Sequence, residues 1–199
     1  MSLISRVQNI LLKPKEEWGV IDAEPATVQG IFTSYVMILA AIGPIAGLVG
    51  QQVMMGMYKP ALQYSIVMAV IAYILSLASV YVMGLIINAL APTFNGTQDS
   101  IKALKVAAYY PTAAWVLAIL NIIPMLGMLA VLVGGIYGLY LLYLGLPRLM
   151  RVGEDKAIAY IVLIIVAWIV LYFLLAFITG LLVVAFVGTA MVAAPVVYR

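Results

Sequence analysis

Four stretches of this chain contain no Asp, Glu, Lys or Arg: residues 28–58, 60–98, 106–147 and 157–198. A helix needs about 20 mostly apolar residues to cross about 30 Å of hydrocarbon. Each stretch is long enough for one crossing, and some for two. The runs are apolar on every face, whereas strands of a membrane barrel would alternate in short segments. The bilayer core offers no water to bond, so backbone groups must pair within each segment and the runs read as helices.

Turn and breaker residues divide the runs. The first predicted span covers roughly residues 28–49, and Pro44 should bend it, because proline lacks an N–H and clashes with the preceding turn. The second covers roughly 64–90. Asn95-Gly96 signals a turn, and Thr97, Asp99 or Ser100 can cap the helix that follows. That third helix runs from about Ile101 to Leu120, with a kink expected at Pro111. Asn121 and Pro124 mark a tight turn. The fourth span should cover 125–146, followed by a charged loop over Pro147–Lys156 and a fifth span from Ala157.

Residues 157–198 fit one long tilted helix, or a hairpin turning at Thr179-Gly180 that would add a sixth span. Neither proline nor a polar cluster marks a turn there, which favours one helix. The expected fold is an all-α polytopic bundle of five spans, with six as the alternative.

Residues 1–27 read as an interfacial segment ahead of a single transmembrane domain, 28–199. Leu3, Ile4, Val7, Ile10 and Leu11 fall at helical spacing, predicting a short amphipathic helix on the membrane surface. Pro14 should end it, and Trp18 should sit at headgroup depth. This segment is charged throughout, so the first apolar helix is expected to direct insertion.

Composition agrees with the pattern. Of 199 residues, 67% are hydrophobic and 9% charged, against about 45–50% and about 25% in soluble domains. There is no Cys and no His, which excludes disulfides, thiol catalysis and ordinary zinc or His–haem ligation. The net charge of +3 implies no nucleic-acid partner.

Placement of the charges sets the expected orientation. Five spans put Arg6, Lys13, Lys15, Lys102, Lys105, Arg148, Arg151 and Lys156 on one side, and Lys59 and Arg199 on the other. By the positive-inside rule the first group is cytoplasmic, with the N-terminus inside and the C-terminus outside. Those eight cations form a basic face suited to anionic lipid. The acids Glu16, Glu17, Asp22, Glu24, Asp99, Glu154 and Asp155 fall on the same side and read as a solvated rim.

No ionisable residue lies well inside a span, which removes the usual marker of a proton relay or voltage sensor. Gly127, Gly134, Gly138 and Gly145 share roughly one face of the fourth helix and suggest a close-packing seam, within the chain or against a second copy. Pro44, Asn88, Tyr109 and Pro111 would mark a kink or cavity if the spans line a substrate path. Met54, Met55 and Met57 cluster as adaptable packing rather than a Cu(I) site. No nucleophile, metal or phosphate-cradle constellation is present, so neither an enzyme nor a cofactor is expected.

The order of motifs carries a family resemblance. Lys13-Pro14 and Glu17-Trp18 follow the N-terminal helix. Gly96 to Lys105 leads into Tyr109-Tyr110-Pro111, and the fourth helix ends Tyr137-Gly-Leu-Tyr140-Leu-Leu-Tyr143-Leu-Gly145-Leu-Pro147. This resembles the bacterial branch of the Yip (Ypt-interacting protein) family, in particular its small inner-membrane proteins. The resemblance implies five spans and a cytoplasmic N-terminus. Eukaryotic members are linked to Rab-type GTPases, but their long N-terminal region has no counterpart in this sequence, so such a partner is not expected. Two functions remain open: a non-enzymatic protein acting through the bilayer, a protein partner or a homo-oligomer, and a small transporter, channel or lipid flippase.

Overall fold

The computed structural model of the chain describes residues 1–54 and 61–193. Lys59, Arg199, Met55 and Met57 lie outside the described residues, as does the side chain of Met54. Among the described residues all regular structure is helical. Two short helices, α1 (Leu3–Leu12) and α2 (Pro14–Ala23), come first. Five helices long and apolar enough to cross a membrane follow: Val28–Val53, Leu62–Phe94, Ser100–Ile122, Met125–Met150 and Glu154–Val184. Their outer faces carry large apolar side chains, such as Val131, Ile136 and Phe173, that are more than half exposed. Such a surface suits a lipid environment and would be an aggregation liability in water.

The breaks in the spans have local causes. In the first span a π-helical turn, Phe32–Val36, is followed by Met37–Ala40, and the helix resumes at Ile42. The break falls at Ala41 rather than at Pro44. Proline at 44 cannot donate to the carbonyl of residue 40, so the ladder fails one turn earlier and Pro44 sits in the first turn of the new helix. In the third span Ser100–Tyr109 ends at a Tyr110-Pro111 turn, Thr112–Leu117 continues, and a 3-10 turn covers Ala118–Ile122. Asp99 caps the start, its carboxylate accepting from the Ile101 and Lys102 amides at 3.0 Å.

The fourth helix runs Pro124–Met150, passing through Pro147. The predicted loop at Pro147–Lys156 is therefore shorter. Near a helix end, proline costs one backbone bond and does not stop the helix. The turn comes at Arg151, which is left-handed (φ 56°). Asn95, also left-handed (φ 57°), makes the neighbouring turn. The two turns join: the Thr97 amide donates to the Met150 carbonyl at 2.7 Å. A Cβ on Gly96 would lie 2.7 Å from Val152 Cγ2, so only glycine fits there.

The fifth helix is continuous over Glu154–Ala193, without a hairpin. At Thr179, the site of the alternative hairpin turn, the hydroxyl donates to the Leu175 carbonyl at 2.8 Å, one turn back, and the helix continues.

The fourth helix is the packing spine. Its glycines face four other parts of the same chain. A Cβ on Gly134 would lie 2.6 Å from Ala114 Cα, one on Gly138 3.3 Å from the Tyr110 carbonyl oxygen, and one on Gly145 2.8 Å from Trp18 Cζ2. Gly127 faces Asn121. Two further close approaches escaped the sequence reading. Gly50 faces the carbonyl oxygens of Asn121 and Ile122, and Gly84 faces Leu104. Gly47, half of a GxxxG pair with Gly43, has nothing among the described residues within 4 Å of where its Cβ would stand.

This predicts a graded response to added volume. Gly134→Leu and Gly138→Leu should each destabilise the protein, by about 1–3 kcal/mol as overpacking does, and lower its thermal midpoint in detergent. Gly47→Leu should not. Equal midpoints for all three would contradict the seam.

Candidate functional site

The N-terminal helices do not stand apart from the bundle. Ile10, Trp18 and Ile21 are buried in one apolar core with Leu104, Leu146 and Tyr160 of the third, fourth and fifth spans. Trp18, expected among headgroups, is 1% exposed. Its ring fills the space left by Gly145 and meets Tyr109 edge-on, with centroids 6.4 Å apart. Its Nε1 is buried and has no partner among the described residues. On the fourth span, the Tyr137 hydroxyl donates to the Leu11 carbonyl at 2.6 Å and so ties down the end of α1.

Charge completes the docking. Arg6 of α1 is 6% exposed, and its Nη1 donates to Glu17 Oε1 at 2.5 Å. Its Nη2 bonds Glu24, and the guanidinium lies 5.7 Å from the centre of the Tyr109 ring. Glu17 is 3% exposed. Buried ions need this kind of matching, because desolvating an unpaired charge costs several kcal/mol, on the order of 3–5 when a partner is removed.

A second group of charges holds the far end of α2. The Lys105 ammonium donates to the carbonyl oxygens of Ile21 (2.6 Å) and Glu24 (2.5 Å). A cation here satisfies free carbonyls and complements the negative end of the helix dipole. Lys102 Nζ pairs with Asp22 Oδ1 at 2.7 Å, and Arg151 Nη2 with Asp22 Oδ2 at 3.2 Å. Arg148 Nε lies 3.9 Å from the same oxygen. Both arginines are more than half exposed, so these last contacts contribute about 0–1 kcal/mol each.

The basic face is thereby divided. Arg6, Lys102, Lys105, Arg148 and Arg151 converge on α2 and its acids. Lys13 and Lys15, at the turn between α1 and α2, point outward, and Lys156 lies in the first turn of the fifth span. The acids are not a solvated rim throughout, since Glu17, Asp22 and Glu24 are inside the network. Their opposite charges, close on one side of the membrane, were a signal for pairing that single-residue reading missed. Tyr35 and Thr112 were also missed. Their hydroxyls bond at 2.7 Å beside Tyr109, joining the first and third spans.

The four residues considered for a kink or cavity are not brought together. Tyr109 lines an open cavity of about 610 Å³ at the charged end, with Arg6, Glu24, Thr27 and Tyr35. Pro111 lines a separate apolar cavity of about 440 Å³ among the second to fifth spans. Pro44 and Asn88 line neither. The Asn88 backbone carbonyl accepts from Gln98 Nε2 at 3.2 Å, while its side-chain oxygen is buried and has no partner among the described residues.

The segments that meet here are the ones whose order suggested a family. Glu17-Trp18 rests on the Tyr137–Pro147 stretch and on Tyr109, with Lys102 and Lys105 alongside. The chain matches the Yip1 domain over residues 9–178. It belongs to the Yip1 domain family. Together with the five apolar spans, this makes it a multi-pass membrane protein of the Yip family. No curated protein and no solved structure matches it. The Yip1 domain contains every charged partner described above except Arg6, which reaches into it from the preceding turn of α1.

The buried pair gives a testable asymmetry. Arg6→Met should strand the buried Glu17 and lower stability by about 3–5 kcal/mol, whereas Glu17→Met leaves Arg6 its bond to Glu24 and should cost less. The double variant should recover much of the Arg6→Met loss. Thermal melting in detergent measures it, and a double variant as unstable as the sum of the singles would show that the two charges do not depend on each other.

Proposed function

We propose that this Yip1-domain protein is a non-enzymatic component of the bacterial cytoplasmic membrane. It acts by association, organising the bilayer at its charged face and offering that face to a membrane protein partner or a second copy. The N-terminus is cytoplasmic and the C-terminus extracytoplasmic. Eight basic residues in short segments on one side support that orientation.

One observation carries the reading. The α1–α2 pair is held against the bundle, yet Ile4 and Leu12 on its outward side are 70% and 78% exposed. Gln8 lies between them at helical spacing, and Lys13 and Lys15 follow immediately, also exposed. Apolar side chains beside cations are what an anionic membrane interface takes up. Each basic residue near such a surface contributes about 1 kcal/mol. Because the pair is docked rather than tethered, lipid bound there would be ordered around the bundle.

A transport role draws support from the cavity lined by Pro111. Among the described residues no Asp, Glu, Lys or Arg lines that cavity, so they offer no charge to hold a charged solute, and association is the better reading.

Lipid selectivity tests the proposal. In reconstituted protein, spin-labelled phosphatidylglycerol should be enriched over phosphatidylcholine in the lipid shell. Lys13→Gln with Lys15→Gln and Leu12→Ser should reduce the enrichment without lowering the thermal midpoint. No lipid preference in the wild type, combined with no self-association and no co-purifying membrane protein, would contradict it.

A further inference from the structure

We infer that the cavity among the second, third, fourth and fifth spans is a binding slot for one acyl chain of a membrane phospholipid. Its volume is about 440 Å³, and its walls include Val80, Met83, Trp115, Val131, Leu142 and Ile164. Ser76 and Ser79 also line it, but their hydroxyls donate to the Tyr73 and Ser76 carbonyls, each at 2.7 Å. Their donor protons are thereby used within the helix and are not offered to a solute. An acyl chain needs no polar partner.

Length and direction fit the same occupant. Along the fourth helix the slot extends from Val131 to Leu142, roughly 16 Å at a rise of about 1.5 Å per residue. Half of a hydrocarbon core of about 30 Å is roughly 15 Å, the depth of one leaflet. The helices that wall the slot are membrane spans, so it runs alongside the lipid chains.

Depth follows from the docked helix pair. The Tyr137 hydroxyl bonds the Leu11 carbonyl, and exposed Lys13 and Lys15 come next in the chain. Tyr140 and Tyr143 of the same helix are 41% and 39% exposed. Tyrosines and lysines of this kind mark the headgroup level. The slot therefore starts within that level, between Tyr137 and Leu142, and reaches roughly 9 Å deeper, to Val131. At that depth the surrounding medium is acyl chain, and a void without partner atoms forfeits dispersion contacts on every wall.

The slot exists because side chains are missing. Gly134, Gly135 and Gly138 line it. Gly134 and Gly138 are needed for close packing, as shown above. Gly135 is not: a Cβ there would meet nothing within 4 Å. Gly135 can thus be enlarged to fill the slot without disturbing the seam.

The test uses the full chain with Trp168→Phe, reconstituted in phospholipid brominated on its acyl chains. Trp115 remains in the slot, while Trp18 is enclosed by protein and contributes equally in every variant. Bromine should quench Trp115 strongly, and Gly135→Leu should lose most of that quenching while its thermal midpoint does not fall. Ser79→Leu fills the slot from the opposite wall and should act alike, so a folding defect in either variant leaves the test standing. Quenching unchanged in the variant or variants that fold would overturn the assignment. The inference does not rest on lipid selectivity at the charged face, and either can fail without the other.

Discussion

Arg6 carries a charge to a place that water barely reaches, and the arrangement of the charged end follows from the need to match it. The guanidinium must meet carboxylates, and the ones it meets, Glu17 and Glu24, lie on α2 and just after it. That fixes α1 against α2. Lys105 then takes the free carbonyls at the end of α2, and Lys102 takes Asp22, which fixes the pair against the third span. Exposed arginines at the end of the fourth helix close the network from the other side. Such a network contributes little net stability compared with apolar packing of the same volume, but breaking it is costly. Its effect is to specify one position for the helix pair.

Shape does the complementary work on the fourth span. Its glycines leave hollows for Trp18, Tyr110, Ala114 and Asn121, so one helix accepts four partners at short range. Dispersion rewards that closeness where no hydrophobic force operates between spans. Gly135 sits among these glycines but faces open space, and this spare hollow is what the acyl-chain slot is built from.

Much of this architecture was legible in the sequence. Charge-free runs gave the five spans, Pro111 and Asn121–Pro124 gave the interruptions, and Asp99 was among the proposed caps that the structure contains. These are local signals, written within a few residues of their effect. What escaped was long-range or degenerate. Trp18 beside charged residues reads as interfacial, and only the hollow at Gly145, far along the chain, turns it inward. Glu17 and Asp22 read as exposed because their partners lie on other helices. A stripe of glycines announces close packing but does not name the partner, and Gly47 shows that one half of a GxxxG pair can face nothing among the described residues while the other half, Gly43, meets Ala118. The break at Ala41 shows that proline acts through the carbonyl it leaves unpaired, one turn before itself.

The central claim is that α1 and α2 are a built part of the Yip1-domain bundle rather than a loose surface segment. That is what would let the outward apolar and basic side chains hold a fixed place at the membrane surface. Hydrogen exchange of the full chain in lipid-free detergent tests it most directly. Amides of Leu3–Leu12 and of the α2 residues after Pro14 should be protected as strongly as those of Ser100–Tyr109, the helix they dock on. Exchange of the two N-terminal helices at the rate of an unstructured peptide, with the spans still protected, would contradict it.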